Sequence, residues 1–437
     1  MGFQLIGLIV AMLVMMALIL RGLNPILSTI VGCSLMVWTN SLPYTQTFQD
    51  GLTLWGSVMM QPIFVVLLGA AMGMVFTKSG AIDSIAGLLL QPTKAVKNEN
   101  AKLIVAILAL LVFRVVLGLA GFINEAITVT MLAVTGVICR NADIPRRHLC
   151  ALLAFASSCG TILPAAPTML NVFLELNLPG YSSTAYLVPR ILFMLVWIVL
   201  FCVLMVIVIG KDRKLDKHFE PGNMIIPELS DRRPPVWLCF IPIVVVIITY
   251  TFLSFAAWIS IAFGLISSII VLYKYIPAEE GRTRLGSVLK CAGDGTLLIP
   301  LQLMIMTLPT MILMNAPSFE WGTGAMAELD FPVVISLAVF IVIMMFFAGL
   351  GAVPTICMVF TASFASTGVS IYVVASLSAW AVAFSGGLPS NAAIAIEAKL
   401  SDYEVKDVYP TILVGNIVTS TVLLVLTVIA SLAGVFG

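Results

Sequence analysis

Two stretches of this sequence carry hydrogen-bonding side chains where the chain is otherwise apolar, and both are interrupted by proline. Residues 149–176, LCALLAFASSCGTILPAAPTMLNVFLEL, hold Gly160, Pro164 and Pro167 at their centre. Proline removes a backbone donor and clashes with the carbonyl four residues back, so the chain is expected to open around 160–168 and leave main-chain groups unpaired. Ser157, Ser158, Thr161, Thr168 and Asn171 stand beside this opening. The half-helix ends would offer amide donors to an anion and carbonyl or hydroxyl acceptors to a cation. Residues 379–400, AWAVAFSGGLPSNAAIAIEAKL, repeat the device: small residues, Leu388-Pro389, then Ser390 and Asn391. Paired interruptions in two halves of a membrane chain point to a transporter's binding site, against the plainer reading of two proline kinks.

Two further breaks could contribute. GLAGFINEA (118–126) presents Asn124 and Glu125, with Arg114 one helical stretch before them; GLGAVPTICM (349–358) offers only Thr355 and opened backbone. An ionisable group at membrane depth is functional by default and needs a partner, so Arg114 and Glu125 are expected to pair across a hairpin tip. Glu125 then either carries a proton, which burial favours and a close Arg114 opposes, or only neutralises Arg114. Arg114 is also a candidate receptor for a substrate carboxylate. Arg190, near the outer start of a helix, is expected to reach the membrane interface.

These residues must be held by an all-α polytopic membrane protein. Of 437 residues, 61% are hydrophobic and 10% charged, and mean hydropathy is +1.12, well outside the range of a soluble globule. A net charge of +1 with thinly spread basic residues gives no nucleic-acid footprint. The eight cysteines lack metal-ligand spacing and read as buried small hydrophobes; no cofactor and no metal are expected. With only two histidines, both in loop segments, and no nucleophile elbow or phosphate loop, enzyme chemistry finds no support. The first positive side chain, Arg21, follows rather than precedes the N-terminal apolar run, so that run is expected to stay as a membrane helix.

Apolar segments fall at 3–20, 24–39, 57–77, 103–139, 149–176 and 186–210, with a polar loop at 78–102. After the polar connector 211–235 the order returns at 236–253, 256–273, 297–315, 332–367, 372–398 and 410–432. The sequence therefore predicts two inverted-topology repeats, 1–210 and 236–437. Each would have five crossings, one of them interrupted, and one re-entrant hairpin, at 103–139 and 332–367. Read as pairs of full crossings instead, the two broken segments are expected to export several basic loops, so Lys and Arg placement favours the hairpins. On the five-crossing reading, all Lys and Arg except Arg114 and Arg190 lie in loops on one side, which makes that side cytoplasmic and both termini non-cytoplasmic.

Three segments carry a resemblance: GMVFTKSGAIDSIAG (73–87), the region 118–174 with ILPAAPTMLN, and SGGLPSNAAIAIEAKLSDYEVKDVYPTIL (385–413). They resemble the gluconate permease family of the ion transporter superfamily. The resemblance implies a homodimer in the cell inner membrane that takes up a small organic anion, a sugar acid or short hydroxy-carboxylate, by proton symport. Glu125 falls where that family carries an acid. The family's gluconate branch has histidine after each Leu-Pro, whereas this chain has LPAAPT and LPSNA, which leaves the solute open between another small organic anion and a neutral one. Sodium coupling and a passive anion channel stand as alternatives.

Overall fold

The structure, a computed structural model, describes the chain except residues 1, 22, 24, 97, 123, 165, 221–232, 280, 295–307, 328–331, 389–393, 395–396, 399–400 and 437. It is an all-α membrane protein with no strand among the described residues. In the first half run α1 (Gly2–Leu20), α2 (Pro25–Thr39), α3 (Tyr44–Lys78), α4 (Ala81–Ala95), α5 (Glu99–Leu119), α6 (Asn124–Asn141), α7 (Leu149–Thr161), α8 (Met169–Asn177) and α9 (Leu187–Lys214). In the second run α10 (Val236–Ile247), α11 (Ala257–Leu272), α12 (Arg284–Asp294), α13 (Leu308–Leu313), α14 (Pro317–Ala327), α15 (Val333–Ala348), α16 (Val353–Val359), α17 (Ile371–Gly386), α18 (Val405–Ile412) and α19 (Thr419–Leu432). Four helical runs are long and apolar enough to cross a membrane: Tyr44–Lys78, Glu99–Leu119, Leu187–Lys214 and Val405–Leu432.

Two segments expected as loops are helical. Residues 78–102 contain α4, because Ala81, Ile82, Ile85 and Ala86 recur at helical spacing and bury one stripe against α5 and α10. The segment 316–331 likewise contains α14, which Ser318 ties to α2 by donating to Asn40 Oδ1. Helix α3 starts at Tyr44 instead of 57, since the stretch 44–56 holds no proline and its two glycines, Gly51 and Gly56, are carried within the helix.

Packing across the halves is reciprocal. The α1–α2 pair lies against α13, α14 and α15 of the second half, while the α10–α11 pair lies against α3, α4 and α5 of the first. Helix α7 packs on α17, and α16 packs on α8.

The chain ends of these helices form two groups. In one, Arg213 at the end of α9 donates to the carbonyls of Ala142 and Asp143 and pairs with Glu99 at 3.4 Å. Buried His148 lies 2.7 Å from Asp212 Oδ2 and 3.1 Å from Thr411 Oγ1, and Arg147 also donates to Asp212. Burial pushes His148 down to about 4 although Asp212 pulls the other way, so the ring is neutral. Its Nε2–H then donates to Asp212, and Nδ1 accepts from the Thr411 hydroxyl. In the other group, Ser183 Oγ and Tyr250 Oη donate to Glu175 at 2.6 and 3.1 Å. All eight cysteines are buried and unbridged.

Candidate functional site

Helix α7 is thirteen residues long and stops at Thr161, where Pro164 and Pro167 forbid continuation; α8 restarts at Met169. Thr168 caps the restart, its Oγ1 accepting from Asn171 N at 3.4 Å. Asn171 is fully buried and closes the break itself: its Nδ2 donates to the carbonyls of Leu163 and Ala166, both at 2.8 Å. Thus a side chain in the first turn of α8 satisfies carbonyls that the proline break would otherwise orphan. Thr161 Oγ1 donates back to the Ser157 carbonyl at 3.0 Å.

The tip between α5 and α6 covers this break. A Cβ on Gly118 would stand 3.1 Å from the Gly160 carbonyl oxygen, and one on Gly160 would run into Arg114 Cζ. The Arg114 guanidinium therefore packs directly on Gly160 and would have to shift for any larger residue there. It is 1% exposed and donates from Nη2 to the Phe122 carbonyl at 3.3 Å. Gly121, at φ +76°, turns the tip beside Pro167. Asn124 and Glu125 open α6, but their side chains lie outside the described residues, and so does the expected Arg114–Glu125 pair.

At the second interruption α17 ends at Gly386, followed by Gly387 and Leu388. Ser390 and Asn391 lie outside the described residues. The second tip, Gly349–Ala352, approaches the same end: a Cβ on Gly349 would lie 3.9 Å from Ser385 Oγ. Thr355 follows in α16, fully buried against α8, and its Oγ1 has no hydrogen-bond partner among the described residues.

The two interrupted helices meet. A Cβ on Gly386 would lie 2.9 Å from Ser158 Oγ, and one on Gly387 would lie 2.9 Å from Asn416 Cβ. Asn416 in turn donates to Ser158 Oγ at 3.4 Å. Asn416 sits in a π-helical turn, Leu413–Val418, a local widening that recurs at functional positions. Its Oδ1 has no partner among the described residues.

Arg190 overturns the expectation of an interfacial side chain. It is 1% exposed and points inward, donating from Nη1 to Asn171 Oδ1 at 3.1 Å and to Tyr181 Oη at 2.9 Å. Its Nε and Nη2 are buried without a hydrogen-bond partner among the described residues. The distance of Arg190 from the apolar centre of its helix suggested lipid headgroups; the sequence signal for the true position was Asn171, an amide able to receive it. Ser158, one of the polar side chains expected beside the opening, is at this junction; Asn416 was not expected there, being an ordinary polar residue in an apolar helix.

So Thr168, Asn171 and Arg190 form one connected group, Arg114 and Gly160 a second, and Ser158, Gly386, Gly387 and Asn416 a third. The sequence matches no protein-family model and no curated protein.

Proposed function

We propose that the protein is a secondary active transporter that imports a small organic anion, a sugar acid or short hydroxy-carboxylate, with protons. One observation carries this reading: the ends of α7 and α17 abut through Ser158 and Gly386, with Asn416 of the last helical run beside them and a loop tip near each helix end. Opened backbone at membrane depth is stable only where protein or a solute cavity meets it, and two half-helix ends brought together suit a solute held midway.

The reciprocal packing of α1–α2 and α10–α11 on opposite halves supports two inverted repeats, 1–210 and 236–437. The tip at 118–122 touches the break at Gly160 and Pro167. Helix α7 reaches that depth over thirteen residues, roughly 20 Å from its start, and α8 continues beyond it. A re-entrant hairpin at 103–139, with a matching one at 332–367, is part of the same proposal. The resemblance to the gluconate permease family leads the same way, toward an inner-membrane homodimer, and the placement of Lys and Arg puts both termini outside the cytoplasm. Glu125 is the proposed proton carrier, with Arg114 beside it.

Uptake by the purified protein in proteoliposomes tests this. Wild type should accumulate an organic acid under an inward proton gradient, and Glu125→Gln should lose that accumulation while keeping solute exchange. Accumulation that follows sodium at fixed pH would replace the proton; conductance without uphill accumulation would make the protein a channel and overturn the reading.

A further inference from the structure

We propose that Arg190 is the receptor for the carboxylate group of the solute, a role that rests on the transporter reading above. The argument begins with how the guanidinium is used. Nη1 makes both of the contacts that tie Arg190 to the fold, to Asn171 Oδ1 and Tyr181 Oη. Those contacts leave the side-on edge, Nε–H and Nη2–H, with no hydrogen-bond partner among the described residues. These two N–H groups are parallel and spaced to meet the two oxygens of one carboxylate.

The charge lacks a counter-ion among the described residues. Arg190 is 1% exposed, and no Asp or Glu oxygen among those residues lies within 4.0 Å of it. The acid nearest in sequence, Glu175, accepts from the Ser183 hydroxyl and from the Tyr250 hydroxyl instead. A guanidinium buried in a membrane protein without a carboxylate is costly, and an arriving anion removes that cost. By contrast, a neutral solute would leave the charge as it is.

Position adds to the case. Asn171 links Arg190 to the Leu163 and Ala166 carbonyls, so the receptor is rigidly joined to the interrupted helix. Tyr186, one turn before Arg190 and stacked on Tyr372 with ring centres 4.8 Å apart, walls this end with its hydroxyl bonded to Ser376. A bound carboxylate would therefore be read at one side of the break while the rest of the solute extends toward the helix junction.

The test uses full-length protein in detergent, where no gradient exists. Thermal stability is measured for wild type, Arg190→Lys and Arg190→Gln with acetate, lactate, glycerate, gluconate and succinate, with sodium chloride at equal ionic strength and with glycerol and lactamide as uncharged controls. At least one carboxylate should stabilise wild type saturably while the uncharged controls do not. Half-saturation should weaken by about tenfold or more in Arg190→Lys, which keeps the charge but not the fork, and vanish in Arg190→Gln. Unchanged half-saturation in a monodisperse Arg190→Gln protein, or no stabilisation of wild type by any carboxylate, overturns the assignment. If Arg190→Gln does not fold, Arg190→Lys decides in the same terms. Wild type that binds a carboxylate through Arg190 but never accumulates it in vesicles overturns the transporter reading and leaves the receptor standing. Uptake with a wild-type KM in both variants does the reverse.

Discussion

Ser158 and Gly386 are in contact, one in the last turn of α7 and the other at the end of α17, with a Cβ on Gly386 falling 2.9 Å from Ser158 Oγ. Ser158 is not free to turn aside, because its hydroxyl donates to the Ala154 carbonyl at 2.9 Å and accepts from Asn416 at 3.4 Å. The small residues that precede the second Leu-Pro thus have a steric reason: they let two half-helices approach.

Gly386→Ala should therefore lower stability by about 1–3 kcal/mol, the usual cost of overpacking a tight contact. Ser158→Gly in the same protein should recover most of it. Thermal unfolding of the two single variants and the double variant checks this; equal melting of wild type and Gly386→Ala contradicts the contact.

Asn171→Ala removes both donors from the Leu163 and Ala166 carbonyls and the acceptor from Arg190 Nη1. Buried polar groups stripped of partners cost about 1–3 kcal/mol each, so the loss should reach roughly 3 kcal/mol or more. A melting temperature within error of wild type would mean that the break does not depend on this side chain.

The pH dependence has a clear sign. His148 is neutral in the folded protein, with its pKa pushed by burial from 6.5 down to about 4. The unfolded chain therefore binds the extra proton first, and the stability present above pH 6.5 is lost as pH falls toward 4, at up to about 1.4 kcal/mol per unit. Exposed His218, raised by its hydrogen bond to Asp143, acts in the opposite sense and weakly. Melting temperature should fall between pH 7 and pH 5 in wild type and fall less steeply in His148→Gln; parallel curves would contradict the assignment.

Much of this architecture was legible from residue types. Pro164 and Pro167 end a helix whatever surrounds them, and the observed ends at Thr161 and Met169 follow from that chemistry. Helix α4 was not, because its stripe of Ala81, Ile82, Ile85 and Ala86 is short and sits among lysines, so length and charge hid its periodicity. Arg190 was misread for a related reason: hydropathy locates a charge along a helix but not around it, and the face it occupies is set by Asn171 and Tyr181 on another segment. Charge placement has a limit of its own. A re-entrant hairpin and a pair of full crossings return the chain to the same side, so the basic loops fit either.

Arg213 joins Glu99 to Ala142 and Asp143, which holds the start of α5 and the end of α6 on one face. Single cysteines replacing Asn100 and Arg140, in protein without its native cysteines, should react with an impermeant thiol reagent from the same side of the membrane. A cysteine replacing Gly180 should react only from the other. Labelling of positions 100 and 140 from opposite sides would contradict this arrangement.

The claim at the centre is that solute passes through the junction of the two interrupted helices. Ser158→Cys tests it directly, since position 158 is buried in this conformation and would have to open to each side in turn during transport. The account predicts that an impermeant thiol reagent applied to right-side-out and to inside-out vesicles modifies this cysteine in both, and that an organic acid which the protein binds slows the reaction. Modification from one side alone, at a rate the bound acid does not change, would contradict it.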